Sequence, residues 1–310
     1  MNNLQKGLVS IIVTTYNRKD LLQEALGAIL RQTYKEIVLI IVDNFSDYDI
    51  EKSVRLFHDS RIRFFQHRNG GIIAVNRNYG IRQSQGEFVA FCDDDDLWMP
   101  DKLEIQIAHF SQDDIVGVGS SATPIGDLRY SRPALIARDR ILAFEDIYQS
   151  NEVALSSLVI KNEGIFFDED PDLVGAEDFD FQLRVSLRNH SKIKLLARPL
   201  INYRIHPYNE SADVRKVQNA IKVIKKYRDA VPGIDTRHII SDRYVYCGKL
   251  ELRHSLRKSR KYFRKALSEK KINLSAYFFL ILSYLPTAVI QKLILLYFKS
   301  FQKIRLPISQ

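Results

Sequence analysis

The chain has 310 residues, 45% of them hydrophobic and 27% charged, a composition that argues for a soluble globular protein of one large or two modest domains. Its two cysteines, Cys92 and Cys247, stand far apart with no CxxC or Cys/His cluster, which argues against a disulfide scaffold and a structural zinc site. The net charge of +9 is local: residues 249–310 hold 14 Lys/Arg and 2 Asp/Glu, whereas residues 1–248 hold 32 and 35, so a uniformly basic nucleic-acid binder is not expected.

The first residues, MNNLQKG, are polar, and no secretory signal is expected there. Residues 9–14 (VSIIVT) are β-branched and apolar, the pattern of a buried strand. Asn17 and Asp20 are expected to cap the helix that follows, in which Leu22, Ala25, Leu26, Ile29 and Leu30 form an apolar face. Residues 37–42 (IVLIIV) are a second buried strand ending at Asp43, and 62–65 (IRFF) a short third. Gly70-Gly71 marks a loop before a helix over 72–84. Residues 87–91 (EFVAF) form another strand, ending at Asp93, and Pro100 opens a helix over 101–110. Strands alternating with helices predict a parallel α/β sheet, whose ligands bind at the carboxyl edge of the strands.

Over 111–205 the periodicity weakens. It predicts strands at 115–119, 154–160, 192–197 and 200–205, and a helix near 177–189. Beyond 212 the chain reads as helical, which divides it into 1–211 (halves at about 1–110 and 111–211) and a basic helical region, 212–310. Residues 272–291 are uncharged, but Pro286 with Asn273, Ser275, Ser283, Thr287 and Gln291 argues against a membrane span. From 287 onward Ile290, Leu293, Ile294, Tyr297 and Phe301 recur at helical spacing, with Lys292, Lys299 and Lys303 on another side. That is the pattern of an amphipathic helix at a membrane interface.

Four adjacent carboxylates, Asp93 to Asp96, directly follow a buried strand. They repel one another, and a hard divalent cation such as Mg²⁺ or Mn²⁺ is one reason to gather them, since it binds through one or two carboxylates plus phosphate oxygens. A solvated acidic turn with Asp96 as helix cap is the other reading.

In VSIIVTTYNR (9–18), ILRQTY (29–34), IIVDNFSD (40–47), NGG…NRNYGI (69–81), GEFVAFCDDDDLWMPDKL (86–103), GAEDFDFQLR (175–184) and YRIHPYNES (203–211), the chain resembles the family 2 glycosyltransferases. The resemblance covers about residues 8–211. It implies a GT-A fold, a Rossmann-like mixed, mainly parallel sheet flanked by helices, with a helical C-terminal region added. It also implies transfer of a sugar from a nucleoside diphosphate to an acceptor hydroxyl with inversion.

Carried over residue by residue, the resemblance places Thr14, Tyr16 and Arg18 at the nucleotide. Asp43 and Asn44 fall where the family often has two Asp, one of which accepts from the base; the Asp-Asn pair leaves base identity open. Arg77 and Asn78 match an Arg-Asn pair near the donor sugar. Asp93 and Asp95 match the DxD motif, with Asp95 as metal ligand, Asp93 at the ribose or metal and Asp94 beside them. His206 is a further candidate ligand for Mn²⁺ or Mg²⁺. Asp178 matches the catalytic base, with Glu177 and Trp98 expected beside the acceptor. The expected partners are a nucleotide diphosphate sugar, a glycan or lipid-linked acceptor and a membrane surface, with the protein peripheral on the cytoplasmic face. Two alternatives stay open: a sugar nucleotidyltransferase, although VTTYNRKD lacks the Gly-rich loop of that class, and a non-catalytic glycan-binding or membrane-surface scaffold.

Overall fold

In the computed structural model of the protein, residues 4–111, 114–127, 136–205, 213–252, 254–286 and 289 are described. They fall into two units, Met1–Ser211 and Ala212–Gln310.

The first unit is built on β1 (Gln5–Thr15), β2 (Ile37–Asp43), β3 (Ile62–Gln66) and β4 (Gly86–Asp93), all parallel in the order β3-β2-β1-β4. Every residue of β2 is buried, as are Val9 to Thr15 of β1. Continuous apolar runs of this kind are what strands covered on both faces require. The register sets Thr14 beside Val42 and Asp93, so the three central strands end together at one edge. α1 (Lys19–Leu30) buries Leu22, Ala25, Leu26 and Ile29, the face that its spacing predicts. α3 (Ile73–Gln83) crosses β1 so closely at Gly80 that a Cβ there would stand 2.6 Å from Ile12 Cγ2.

The start of α1 corrects the expected cap. Arg18 is the cap residue and makes no side-chain capping bond, while Asp20 lies in the first turn, where it suits the helix dipole. The Asn17 amide is used elsewhere: it donates to Asp47 and accepts from the Asp47 N–H, both at 2.7 Å.

Beyond β4 the sheet changes direction. β8 (Val159–Lys161) runs antiparallel to β4 and to β6 (Ile115–Gly126), and β6 pairs in parallel with β9 (Lys192–Ile205). β5 (Leu97–Trp98) and β7 (Arg140–Leu142) both pair antiparallel with β9. The two strands expected at 192–197 and 200–205 are therefore one, with register shifts near Pro199, which has no N–H for the ladder. The strand expected over 154–160 is shorter. Leu155–Ser157 is a 3₁₀ turn, closed by the Ser157 hydroxyl donating to the Ala154 carbonyl at 2.7 Å. The remaining helices of this unit are α2 (Ile50–Arg55), α4 (Lys102–Ile107), α5 (Phe144–Gln149) and α6 (Glu177–Leu187).

The second unit holds α7 (Val214–Tyr227), α8 (Thr236–Glu251), α9 (Leu256–Glu269) and α10 (Leu274–Leu282). Asp213, Asp235, Ser255 and Asn273 cap them in turn through side-chain oxygens. Val245, Leu252, Phe263, Ala266 and Ala276 form its core. The Phe263 ring rests on Gly248, where a Cβ would lie 2.3 Å from the ring edge. Among the described residues no helix is long and apolar enough to cross a membrane. The amphipathic helix expected from 287 onward lies outside the described residues, apart from Val289.

Candidate functional site

The polar groups converge where β1, β2 and β4 end. The turn between β4 and β5 carries Asp93 to Asp96. Asp94 is buried and accepts from the Thr15 hydroxyl at 2.7 Å and from Arg18 Nη1 at 3.0 Å. The same Nη1 lies 3.0 Å from Asp95 Oδ2, so one guanidinium nitrogen serves two carboxylates. Burial pushes the Asp94 carboxyl up to about 6, against the pull of Arg18. Asp96 is more enclosed. Its Oδ1 accepts from the Arg204 N–H at 3.0 Å, its Oδ2 has no hydrogen-bond partner, and burial with the charges of Asp93 and Asp95 pushes its carboxyl well up. Arg204 Nε also donates to the Asp95 carbonyl at 3.0 Å, and its Nη2 to Glu24 of α1.

Asp93 faces the other way. Its Oδ1 accepts from Arg77 Nη2 at 3.1 Å, and its side chain stays 38% exposed, against 5% for Asp94 and 11% for Asp95. Arg77 is buried on α3. Its Nη1 donates to Glu177 Oε1 at 2.8 Å, and its guanidinium carbon stands 5.5 Å from the centre of the Phe167 ring. Desolvation works against the Arg77 charge, and Asp93, Glu177 and Asp178 outweigh it, so its pKa rises. Glu177 opens α6, with its other oxygen on the Gly175 N–H; Gly175 sits at φ +82°, a backbone that favours glycine. Asp178 is half-buried beside it, with Oδ1 accepting from the Phe179 N–H at 2.7 Å.

The structure thus brings Thr14, Arg18, Arg77, Asp93, Asp94, Asp95, Glu177 and Asp178 to one edge. Tyr16 stands half exposed in the loop beyond β1. Asn44 accepts from the Asn69 N–H at 3.0 Å, which ties the loop after β2 to the glycine loop, where Gly70 and Gly71 have φ of +60° and +85°.

Three other expected site residues have their polar groups taken up within the fold. Asp43 is wholly buried and accepts from the Ser46 N–H, the Ser46 hydroxyl and Gln66, so it shapes its own loop. Asn78 is buried with its amide clamped to both backbone groups of Phe167 and to Glu169. Trp98 is a core residue: it is 3% exposed, its indole N–H donates to the Ser156 carbonyl at 2.9 Å, and the Lys102 ammonium covers its ring at 4.0 Å. His206 lies outside the described residues. Arg204 and Asn17 are the residues that sequence reasoning passes over. A single arginine in a strand has no spacing signal, and Asn17 reads as a cap because Asn is a good one.

Among the described residues no three His, Cys, Asp or Glu side chains form a metal cage. The donor set nevertheless fits a hard divalent ion that shares its shell with a diphosphate, for which one or two carboxylates suffice. Around the acidic turn the carboxylates of Asp93, Asp94, Asp95, Asp96, Glu177 and Asp178 outnumber the guanidinium groups of Arg18, Arg77 and Arg204. The excess is negative, and it is made of oxygen donors.

Residues 10–160 match the family described as Glycosyl transferase family 2. An uncharacterized glycosyltransferase of Rickettsia felis is 38% identical over 109 residues, covering 35% of this chain and 18% of that protein. The UDP-Glc:alpha-D-GlcNAc-diphosphoundecaprenol beta-1,3-glucosyltransferase WfgD of Escherichia coli is 34% identical over 108 residues, covering 35% of this chain and 43% of that protein. The chain thus spans less than half the length of either curated relative. Among solved structures, S. aureus TarS 1–349 in complex with UDP-GlcNAc is similar in fold, with a TM-score of 0.61 and 19% identity over 89% of this chain and 79% of that one. The mixed sheet is of the GT-A kind, and the edge where β1, β2 and β4 meet the acidic turn falls within the matched span: the chain carries a glycosyl transferase family 2 domain.

Proposed function

We propose that the protein is an inverting glycosyltransferase of surface glycan synthesis, which moves a sugar from a nucleoside diphosphate to an acceptor hydroxyl. The observation that carries this reading is the Arg77 bridge, which ties the acidic turn beyond β4 to the start of α6. It keeps the half-buried Asp178 carboxylate within electrostatic reach of the edge where Asp93 opens to solvent.

Asp178 takes the proton of the acceptor hydroxyl as that oxygen attacks the anomeric carbon. The bond from that carbon to the diphosphate breaks from the opposite face, and the nucleoside diphosphate leaves. Glu177 is tied to Arg77 and Gly175 and acts as the post that sets the start of α6, not as a second base. Arg18 exchanges carboxylate for phosphate when the donor enters, being the most open of the site's arginines, with a side chain 38% exposed against 7% for Arg77 and 22% for Arg204. Asp93 and Asp95 would hold a Mn²⁺ or Mg²⁺ ion, whose chemistry is to offset charge growing on the leaving diphosphate. Tyr16, in the loop after β1, packs on the base.

The names of WfgD and TarS support a uridine donor, and that of WfgD an acceptor on a diphosphoundecaprenol carrier. The test is a panel of UDP-, dTDP- and GDP-sugars with Mn²⁺, Mg²⁺ or EDTA and a lipid diphosphate-linked sugar as acceptor. UDP release that needs both metal and acceptor is the expected result. Release of pyrophosphate in a parallel assay with nucleoside triphosphates and a sugar 1-phosphate would assign nucleotidyl transfer, and a panel without metal-dependent nucleotide binding would leave only the scaffold reading.

A further inference from the structure

α10 has no charged residue and, apart from Ser275 and the Tyr277 hydroxyl, only apolar side chains. Its inner side is accounted for. Ala276 is fully buried, Phe279 stacks on Phe263 at 5.9 Å, and Asn273 at its cap donates to Ser241 and Asp242. Among the described residues nothing covers its outer side. Leu274 is 79% exposed, Phe278 62% and Ile281 70%. They stand at i, i+4 and i+7 and form one stripe, which Ile272 and Tyr284 extend at its two ends.

Next to the stripe runs a basic one. α9 exposes Arg257, Lys258, Lys261 and Arg264 on successive turns, and Glu269 is its only acid. Two arginines of α9 fix the helices together. Arg260 donates to the Ser283 carbonyl at 2.7 Å with its guanidinium over the Tyr284 ring at 4.1 Å, and Arg264 donates to the Tyr284 hydroxyl at 2.7 Å. Lys271 stands exposed just before α10.

From this pairing we infer that α9 and α10 form a membrane-contact surface, on which the α10 stripe enters the headgroup–acyl boundary and the α9 stripe meets anionic phospholipid. A helix of nine residues is about 13 Å long, far short of a bilayer, so it lies along the interface. Charge decides against a second copy as the occupant. Residues 249–286 hold 10 Lys/Arg and 2 Asp/Glu, so two such faces would bring like charges together. An acyl interior under a phosphate layer answers both stripes at once. The surface needs no transfer reaction; only its use, meeting a lipid-borne acceptor, rests on the proposed function.

The test is co-sedimentation of the full chain with phosphatidylcholine vesicles, with and without phosphatidylglycerol, in the absence of nucleotide. Binding that requires phosphatidylglycerol and weakens with salt is expected. Phe278→Ser with Ile281→Ser should cut partitioning about tenfold or more, and each of Lys261→Gln and Arg264→Gln about fivefold. All these side chains are exposed, and unchanged circular dichroism and nucleotide binding would show that the variants fold. Equal sedimentation of wild type and the apolar double variant overturns the inference, as does equal binding to both vesicle types. A dimer in light scattering that the double variant dissolves also overturns it and assigns the face to a second copy. Vesicle binding without donor turnover would reject the transferase reading and keep this one; turnover without vesicle binding would do the reverse.

Discussion

Asp93 and Glu177 share one cation. They accept from the two terminal nitrogens of the Arg77 guanidinium, at 3.1 and 2.8 Å, and so the turn after β4 and the first residue of α6 are spaced by a single planar group. Removing one partner from a buried ion pair leaves an uncompensated charge. Arg77→Ala should therefore cost about 3–5 kcal/mol of stability. Arg77→Lys keeps the charge without the two-pronged fork and should fall between the two. Urea unfolding of the three proteins checks the order.

Asp178→Asn separates the proposed base from its structural neighbour. It should lower kcat about 10²- to 10⁴-fold while donor affinity and unfolding midpoint stay near wild type. Glu177→Gln should instead lower the unfolding midpoint, because Glu177 is the residue on Arg77. Asp178→Asn turning over at the wild-type rate would remove the base assignment.

Lys102 gives the first unit a pH-dependent stability. Its ammonium is fully buried against Trp98 and donates to Gln106 at 2.6 Å, and burial pushes its pKa down from 10.5 to about 7. Between those values the unfolded chain binds the proton and the folded chain does not. Stability from this group thus rises as pH goes from about 7 to 10.5 and is lost as pH falls over the same range, with a slope of about 1.4 kcal/mol per pH unit between those values and none below about 7. The Cys92 thiol, held well up by burial, acts with the opposite sign above its ordinary 9.0. Denaturant titrations between these limits should show the rise in wild type and its loss in Lys102→Met.

Asn17 joins the loops after β1 and β2. It sits at φ +54°, its N–H donates to the Ser46 hydroxyl at 2.8 Å, and its amide pairs with Asp47 in both directions. Asn17→Ala loses the pair and pays about 1–2 kcal/mol for the left-handed backbone. Asn17→Gly loses only the pair. If these loops frame the nucleotide, both variants should raise donor KM severalfold with little change in kcat, with Ala the worse. Steady-state kinetics at varied donor concentration test this.

The central strands are legible because β1, β2 and β4 are covered on both faces and so read as unbroken apolar runs. α1 and α3 are legible for a different reason, their period and the adjacent loop residues. β5 and β7, two and three residues long, exist because β9 offers them an edge, and no local pattern can announce that. The 3₁₀ turn at Leu155–Ser157 reads as strand until the Ser157 hydroxyl finds a backbone carbonyl. At the site, carboxylate clusters stand out as charge runs, but their cations do not. Arg77 looks like a solvated helix residue until Glu177 arrives from another element. Trp98 and Asp43 show the opposite case, since residues at strand ends look ligand-facing in sequence, where their partners Ser156 and Ser46 are not visible.

Arg204 reaches back 108 residues to Asp96, and its guanidinium holds the Asp95 carbonyl. On a ribosome adding about 5–20 residues per second, the acidic turn waits roughly 5–20 s for that arm. Until then β6 also lacks β9. A nascent chain stalled before β9 would expose an open sheet edge next to four crowded carboxylates, a state that a chaperone or protease can recognise. Assembly of the site is in this sense the closing event of the first unit's folding, timed by when its last strand emerges.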